Sequence, residues 1–333
     1  MTGPTVVLVA AFDDAHHAHG SQRKRALERL GCQVTAVNLL QSGGRRLLFR
    51  RRGWQDELAR ALSGGPAPDL VLVIGSPRSD ANSLSQMRKG SPSTWVNWFP
   101  EGLGDHEHLA EEAATYDHVF VVGTDVAEYL EPRLRRPIAL LPLACDPSVY
   151  RPDPERGQKY RANVVFVGRA TRRRERLLAQ LVEFGLALWG PGWRQTALRD
   201  YCRGETVATE EFVRAYAGAS VAVNIHHTTE ETNGAEASCN QRLFEIAAIG
   251  APQVVDARGD LGRWFEPGEE LDVFGSVEEM KNQVAAILHH PPLGEVLGAN
   301  ARRRVLREHT YMHRLRSLLK TTGFKHSGPG SPS

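Results

Sequence analysis

The stretch Asn240–Asp256, NQRLFEIAAIGAPQVVD, joins a capped helix to a buried strand through a tight turn. Asn240 suits the N-cap position, where its side-chain oxygen accepts from a backbone N–H that has no partner within the helix. The other unpaired amides of that end and the positive pole of the helix dipole favour a phosphate, and Arg242 sits beside them. Leu243, Ile246 and Ala247 follow helical spacing toward a core, so Glu245 is expected to point elsewhere, about a turn and a half beyond the cap. A carboxylate there is placed to bind both hydroxyls of a ribose. Gly250 and Pro252 end the helix, glycine being the residue that closes a helix in the left-handed region. A helix N-terminus for a diphosphate with a carboxylate for its sugar is nucleotide-recognition chemistry of α/β folds. The plain alternative is an ordinary βαβ helix with a solvated Glu245, and this segment alone leaves the two level.

Outward from this stretch, short β-branched runs alternate with helical patterns, which implies parallel sheets with right-handed crossovers. Strands are expected at Val6–Ala10, Gln33–Val37, Leu70–Ile74, Trp95–Phe99, His118–Val122 and Ile138–Leu141. Helices fall between them, at Gln22–Leu30, Gln55–Leu62, Leu109–Ala114 and Val126–Leu130. A second series of strands runs through Val164–Val167, Leu186–Trp189, Val221–Ile225, Gln253–Val255 and Leu271–Phe274, and Ser276–Thr321 is helical. The polar, proline-bearing segment Asp146–Lys159 reads as a linker. The class is α/β with two doubly wound, Rossmann-like domains: residues 1–150, residues 151–322 with the terminal helices, and a disordered tail over 323–333.

Composition agrees with this frame. A chain of 333 residues with 41% hydrophobic content is long enough for two cores. The net charge of +2 gives no global reason to expect nucleic acid or a membrane surface as partner. Cys32, Cys145, Cys202 and Cys239 are widely spaced and form no C-x-x-C pair, which argues against a disulfide framework or structural zinc and fits a reducing cytoplasm. Val6–Phe12 meets Asp13 and Asp14 at once, so it reads as a first strand rather than a leader. No stretch reaches the roughly 20 apolar residues of a membrane span.

Two open sheets joined by one linker are expected to turn their C-terminal edges toward a common cleft, where such sheets bind ligands. The first domain brings Asp14, His16, His17 and His19 after its first strand and Glu101 after the Trp95 strand. The second brings the loop Gly168–Arg176, Gly190–Trp193, His226–Glu236 and the Asn240 helix. GRATRRRER, residues 168–176, carries five arginines. Arg169 and Arg174 are nearest the strand end and suited to bidentate hydrogen bonds with a diphosphate, whereas Arg172, Arg173 and Arg176 are expected to be solvated. Gly190 allows close backbone approach, and Trp193 either stacks on a base or packs as a plain core tryptophan. Of His226 and His227, one is expected to face the cleft and one to pack. Asp14 or His16 is placed to act as an acceptor-side base or as a partner of the transferred sugar. A metal at the histidine cluster is disfavoured for want of cysteine or carboxylate ligands in spacing. GRRLLFRRRG, residues 44–53, reads either as a contact for an anionic acceptor or lipid headgroups, or as a solvated helix with a short apolar stripe, the latter favoured.

These residues carry a resemblance. VVFVG before an arginine-rich helix start, LALWGPGW, VAVNIHH, NQRLFEIAAIGAPQVVD and REHTYMHR, together with ALLPLACDPSVYRP, resemble the GT-B fold glycosyltransferases, in particular the CgeB-like branch with its glycosyltransferase group 1 C-terminal domain. About the last 200 residues carry it; the first 130 share only strand order and the WFPE stretch. The resemblance implies a nucleotide-sugar donor held by the second domain, an acceptor held by the first, no cofactor and no essential metal. It gives Glu245 the ribose role and puts the first glutamate of the superfamily's pair at Ala237, beside Glu236, which leaves retaining against inverting transfer open. His226, Glu236, Asn240 and Arg242 join Arg169, Arg174, Gly190, Trp193 and Glu245 as expected donor contacts; Asp14, His16 and Glu101 are the catalytic candidates. The expected activity is sugar transfer from a nucleoside diphosphate. An epimerase or hydrolase of the same fold, or an inactive nucleotide-binding scaffold, is the alternative.

Overall fold

The computed structural model describes residues 3–12, 19–40, 44–46, 49–51, 53–76, 81–100, 108–155, 157–205, 208–227 and 236–324. Among these, the residues up to Pro142 together with those from Tyr311 onward form one compact unit, and Leu143–Thr310 form another.

In chain order the first unit contains β1 (Thr5–Ala10), α1 (Gly20–Arg29), β2 (Gln33–Asn38), β3 (Gly44–Arg46), β4 (Phe49–Arg51), α2 (Trp54–Ser63), β5 (Leu70–Ile74), α3 (Ala81–Lys89), β6 (Thr94–Phe99), α4 (Leu109–Ala113), β7 (His118–Val121), α5 (Thr124–Leu134) and β8 (Ala139–Leu140). Its six-stranded parallel sheet has the order β2-β1-β5-β6-β7-β8. Val6–Ala10 and Leu70–Ile74 are buried throughout, the signature of parallel strands covered on both faces.

The second unit contains β9 (Ala162–Val167), α6 (Arg172–Ala179), β10 (Leu186–Trp189), β11 (Cys202–Gly204), α7 (Thr209–Ala217), β12 (Ala219–Asn224), α8 (Gln241–Ile249), β13 (Gln253–Asp256), α9 (Leu261–Trp264), β14 (Asp272–Phe274), α10 (Val277–His289) and α11 (Pro291–Glu308). Its parallel sheet is ordered β11-β10-β9-β12-β13-β14. Phe166, Leu188, Val223 and Val254 from the strands pack with Leu178 of α6, Met280 and Val284 of α10 and Leu297 of α11. The strand order reverses between β9 and β12, so the loops after these two strands flank a topological switch point, where open α/β sheets bind ligands.

All eleven expected strands are present. Three expectations need correction. The arginine-rich stretch is an antiparallel ribbon, β3 against β4 with Arg45 opposite Arg50 and Arg46 opposite Phe49, and not a helix; so short a helix is marginal without tertiary support. The second sheet has an edge strand, β11, that the sequence reading did not contain. The division into 1–150 and 151–322 also shifts: the changeover lies at Leu143, and α12 (Tyr311–Thr321) returns to the first unit. Tyr311 meets Trp98 of β6 edge-on with ring centroids 6.4 Å apart, and the Arg23 guanidinium of α1 lies 4.9 Å from both rings. Arg314 Nε donates to the Pro142 carbonyl at 2.8 Å. The 325–333 part of the expected tail lies outside the described residues.

Candidate functional site

The switch-point edge of the second unit is built on backbone-to-backbone contacts. The loop after β9 is pinned to the loop after β10 by Gly168 N–H to Trp189 O at 2.8 Å and Ala170 N–H to Pro191 O at 3.0 Å. Gly190 has φ +123°, and a Cβ there would lie 2.4 Å from the Gly168 carbonyl oxygen, so glycine is required for the two loops to touch. Trp193 takes the second of its two readings: it is fully buried, edge-on to Phe166 with centroids 5.8 Å apart, and its indole N–H donates to Gly168 O at 2.7 Å. With its one polar atom committed to the loop beneath, it offers no face to a base.

Thr171 caps α6, its hydroxyl accepting from Arg174 N–H at 3.2 Å. This turns Arg174 inward. Its Nε and Nη2 donate to the Ile225 carbonyl at 3.2 and 2.8 Å, and Nη1 donates to Arg169 O at 3.0 Å. Burial, followed by the neighbouring Arg242 charge, pushes its pKa down to about 9, so it remains protonated at neutral pH. Arg174 therefore ties the loop after β9 to the end of β12; in this arrangement its fork points at carbonyls and not at open space. Arg172 and Arg176 are exposed as expected, and Arg169 is exposed too, but Arg173 is not simply solvated: its Nη2 lies 3.0 Å from Asp256 Oδ2.

At α8 the cap is as read. Asn240 Oδ1 accepts from Leu243 N–H at 3.0 Å, and Gly250 closes the helix at φ +85°. In addition, Asn240 and the fully buried Asn224 exchange two amide hydrogen bonds of 2.8 and 3.2 Å, fixing the helix start against the end of β12. Arg242 is half-buried, and among the described residues its Nε has no hydrogen-bond partner. Glu245 is not solvated: it is fully buried, and with Arg174 and Arg242 it acts on the Tyr216 phenol, whose oxygen accepts from Val167 N–H at 3.1 Å.

Of the histidine pair, His226 is the one that packs. His226 is buried, with Nδ1 2.6 Å from Asp256 Oδ1, and that oxygen also accepts the His226 backbone N–H at 2.9 Å. His227 is exposed, and its pKa is lowered by partial burial and then by Arg174, Arg169 and Arg242. The charges of all three arginines thus act on the His227 ring. Glu236 is half-buried, its carbonyl 3.4 Å from Arg258 Nη1. Asp14, His16 and Glu101 lie outside the described residues, and His19 is buried near Tyr311 with ring centroids 6.3 Å apart. Sequence reasoning missed Asn224, Asp256 and Arg258; the polar ends of β12 and β13, where an apolar strand would have continued, were the available signal.

Among the described residues no three His, Cys, Asp or Glu side chains group to hold a metal ion, and no helix is long and apolar enough to cross a membrane. The chemistry the edge offers is anion binding, through its arginines and the capped start of α8.

Residues 172–320 match the family described as glycosyl transferase-like. No curated protein matches. Among solved structures, the sucrose-phosphate synthase of Thermosynechococcus elongatus is similar with a TM-score of 0.68 at 16% identity, over 96% of this chain and 99% of that one. Anabaena Alr3699/HepE, solved in complex with UDP-glucose, gives 0.68 at 10% identity, over 96% and 99%. AviGT4, a glycosyltransferase involved in avilamycin A biosynthesis, gives 0.62 at 15% identity over 96% of each chain. The chain therefore has the GT-B fold of the glycosyltransferases, and its residues 172–320 match the glycosyl transferase-like family.

Proposed function

We propose that the protein transfers a sugar from a nucleoside diphosphate to an acceptor hydroxyl or amine, with the donor held at the switch-point edge of the second unit. The observation that carries this reading is a set of cations at one sheet edge: Arg174, hydrogen-bonded to the Ile225 and Arg169 carbonyls, Arg169 itself, and the half-buried Arg242 two residues after the Asn240 cap. Like charges so assembled repel, and a diphosphate among them relieves that repulsion while accepting from the helix amides. Preorganised donors of this kind stabilise the charge that grows on a departing diphosphate. Glu245 is the proposed ribose contact, reached when the donor enters. UDP-sugars are the first donors to test, since the similar Alr3699/HepE was solved with UDP-glucose.

Arginines and helix amides supply the countercharge in this reading, so no divalent ion is required. Retaining transfer is proposed, with Glu236 beside the Ala237 position, and the segments VVFVG through REHTYMHR favour the CgeB-like branch. Asp14, His16 and Glu101 remain the proposed groups on the acceptor side.

The test is nucleoside diphosphate release from a panel of donor sugars, with and without an acceptor mixture and with chelator. Release that needs an acceptor and persists in chelator supports the proposal. Release without acceptor points to a hydrolase, loss in chelator restored by magnesium rejects metal independence, and binding with no release on any donor points to an inactive scaffold.

A further inference from the structure

We infer that Asp256 is a positioning residue of the proposed donor site, a buried acceptor that holds three of its segments in register. The inference rests on the donor-site reading above. Asp256 is the last residue of β13 and 2% exposed. Its Oδ1 accepts both the backbone N–H and the ring Nδ1–H of His226, at 2.9 and 2.6 Å. Its Oδ2 lies 3.0 Å from Arg173 Nη2 and 3.4 Å from Arg258 Nη2. One carboxylate thus joins the end of β12, the first turn of α6 and the loop after β13. The Ile225 carbonyl, one residue before His226, is the one that receives the Arg174 fork, so the position of Arg174 is set through Asp256.

The chemistry of the centre is one-sided. Bonds from the backbone and ring of His226, with the Arg258 charge, overcome the upward push of burial and hold the Asp256 carboxyl well below the usual range. Burial lowers the His226 pKa, and because a carboxylate oxygen can only accept, Nδ1 is the nitrogen that carries the hydrogen given to Asp256. A buried carboxylate with four donors is a rigid anchor, and breaking such a network is felt by every group it holds.

A positioning role and a pure field role predict opposite signs. Asp256 is an anion close to the site proposed for an anion, so if only the summed charge mattered, Asp256→Asn would tighten diphosphate binding. If Asp256 acts by holding Arg173, His226 and, through Ile225, Arg174, the same change weakens it. His226→Phe removes one anchor bond with no change in charge; a field role predicts unchanged affinity and a positioning role predicts loss.

The experiment is calorimetric titration of UDP, GDP and ADP into the full chain and both variants, with fitted site number and folded fraction. At least tenfold weaker binding of the preferred nucleotide in the folded fraction of Asp256→Asn, and a smaller loss in His226→Phe, is expected; KM for the donor rises in parallel. Tighter or unchanged affinity in either variant overturns the inference. A fall in site number with unchanged affinity overturns it too, assigning Asp256 to stability alone. Should Asp256→Asn not fold, His226→Phe decides. Absence of nucleotide binding by the unsubstituted chain would instead reject the donor-site reading itself.

Discussion

Arg174→Lys separates a side chain that acts through geometry from one that acts through charge. Arginine at this position satisfies one buried and one part-buried carbonyl with three N–H groups: Nε and Nη2 on Ile225 and Nη1 on Arg169. A lysine ammonium on a flexible stem reaches one of these carbonyls and abandons the other. Leaving one buried acceptor without a partner costs about 1–3 kcal/mol. The guanidinium also lies 5.3 Å from the Phe166 ring centroid, a contact worth about 0.5–2 kcal/mol that a more strongly hydrated ammonium keeps poorly. The expected loss is therefore about 2–3 kcal/mol, which for a unit of this size lowers the melting temperature by roughly 4–12 °C. Thermal unfolding followed by circular dichroism reads the shift, with the exposed Arg172→Ala as control, expected to stay within about 0.5 kcal/mol of the parent. In the same variant turnover falls at least tenfold, about 1.4 kcal/mol in the barrier, although the positive charge is retained. A lysine variant with parental stability and turnover would refute the tie between the two loops and leave only a charge requirement.

Further outcomes follow from the same edge. Asn240→Ala removes a helix cap worth about 1 kcal/mol and strands the buried Asn224 amide, so a loss of about 2–3 kcal/mol is expected in urea denaturation, with Asn240→Asp, which keeps the cap, less affected. Glu245→Gln is expected to weaken nucleoside diphosphate binding by about 1.5–3 kcal/mol if its carboxylate accepts from the ribose hydroxyls; isothermal titration reads this, and unchanged affinity rejects the role. Stability should depend on pH in a defined window. The buried His226 has a folded pKa below its ordinary 6.5, so its contribution is complete above that value and declines as the pH falls below it, where the unfolded chain takes the proton first. The depressed Asp256 carboxyl adds a second decline below its ordinary 3.8. Melting temperatures from pH 8 to 4 should thus be level above about 6.5 and fall below it, and the first decline should vanish in His226→Phe.

The sheets were legible because buried parallel strands announce themselves as short β-branched runs, and the α8 cap because Asn240 and Gly250 are local signals. What is not local was missed. α12 follows the second unit in sequence, yet the partners that hold it, Arg23, Trp98 and Pro142, lie far upstream. β11, Cys-Arg-Gly, has no β-branched residue. Trp193 and Arg174 were identified as belonging to the site, but which way each faces depends on the Gly168 and Ile225 carbonyls, whose position only the folded chain reveals. Asp256 read as a strand end, and nothing in the sequence tied it to His226 thirty residues earlier.

The most direct test of the central claim is a crystal structure of the protein soaked with the nucleoside diphosphate it binds best. The account predicts the diphosphate between the α8 start at Asn240 and the Gly168–Thr171 loop, within reach of Arg169 and Arg242, with the ribose toward Glu245. A diphosphate bound at the opposite edge of the sheet, in the cavity of about 810 Å³ lined by Asn163, Ser220 and Pro252, would contradict it.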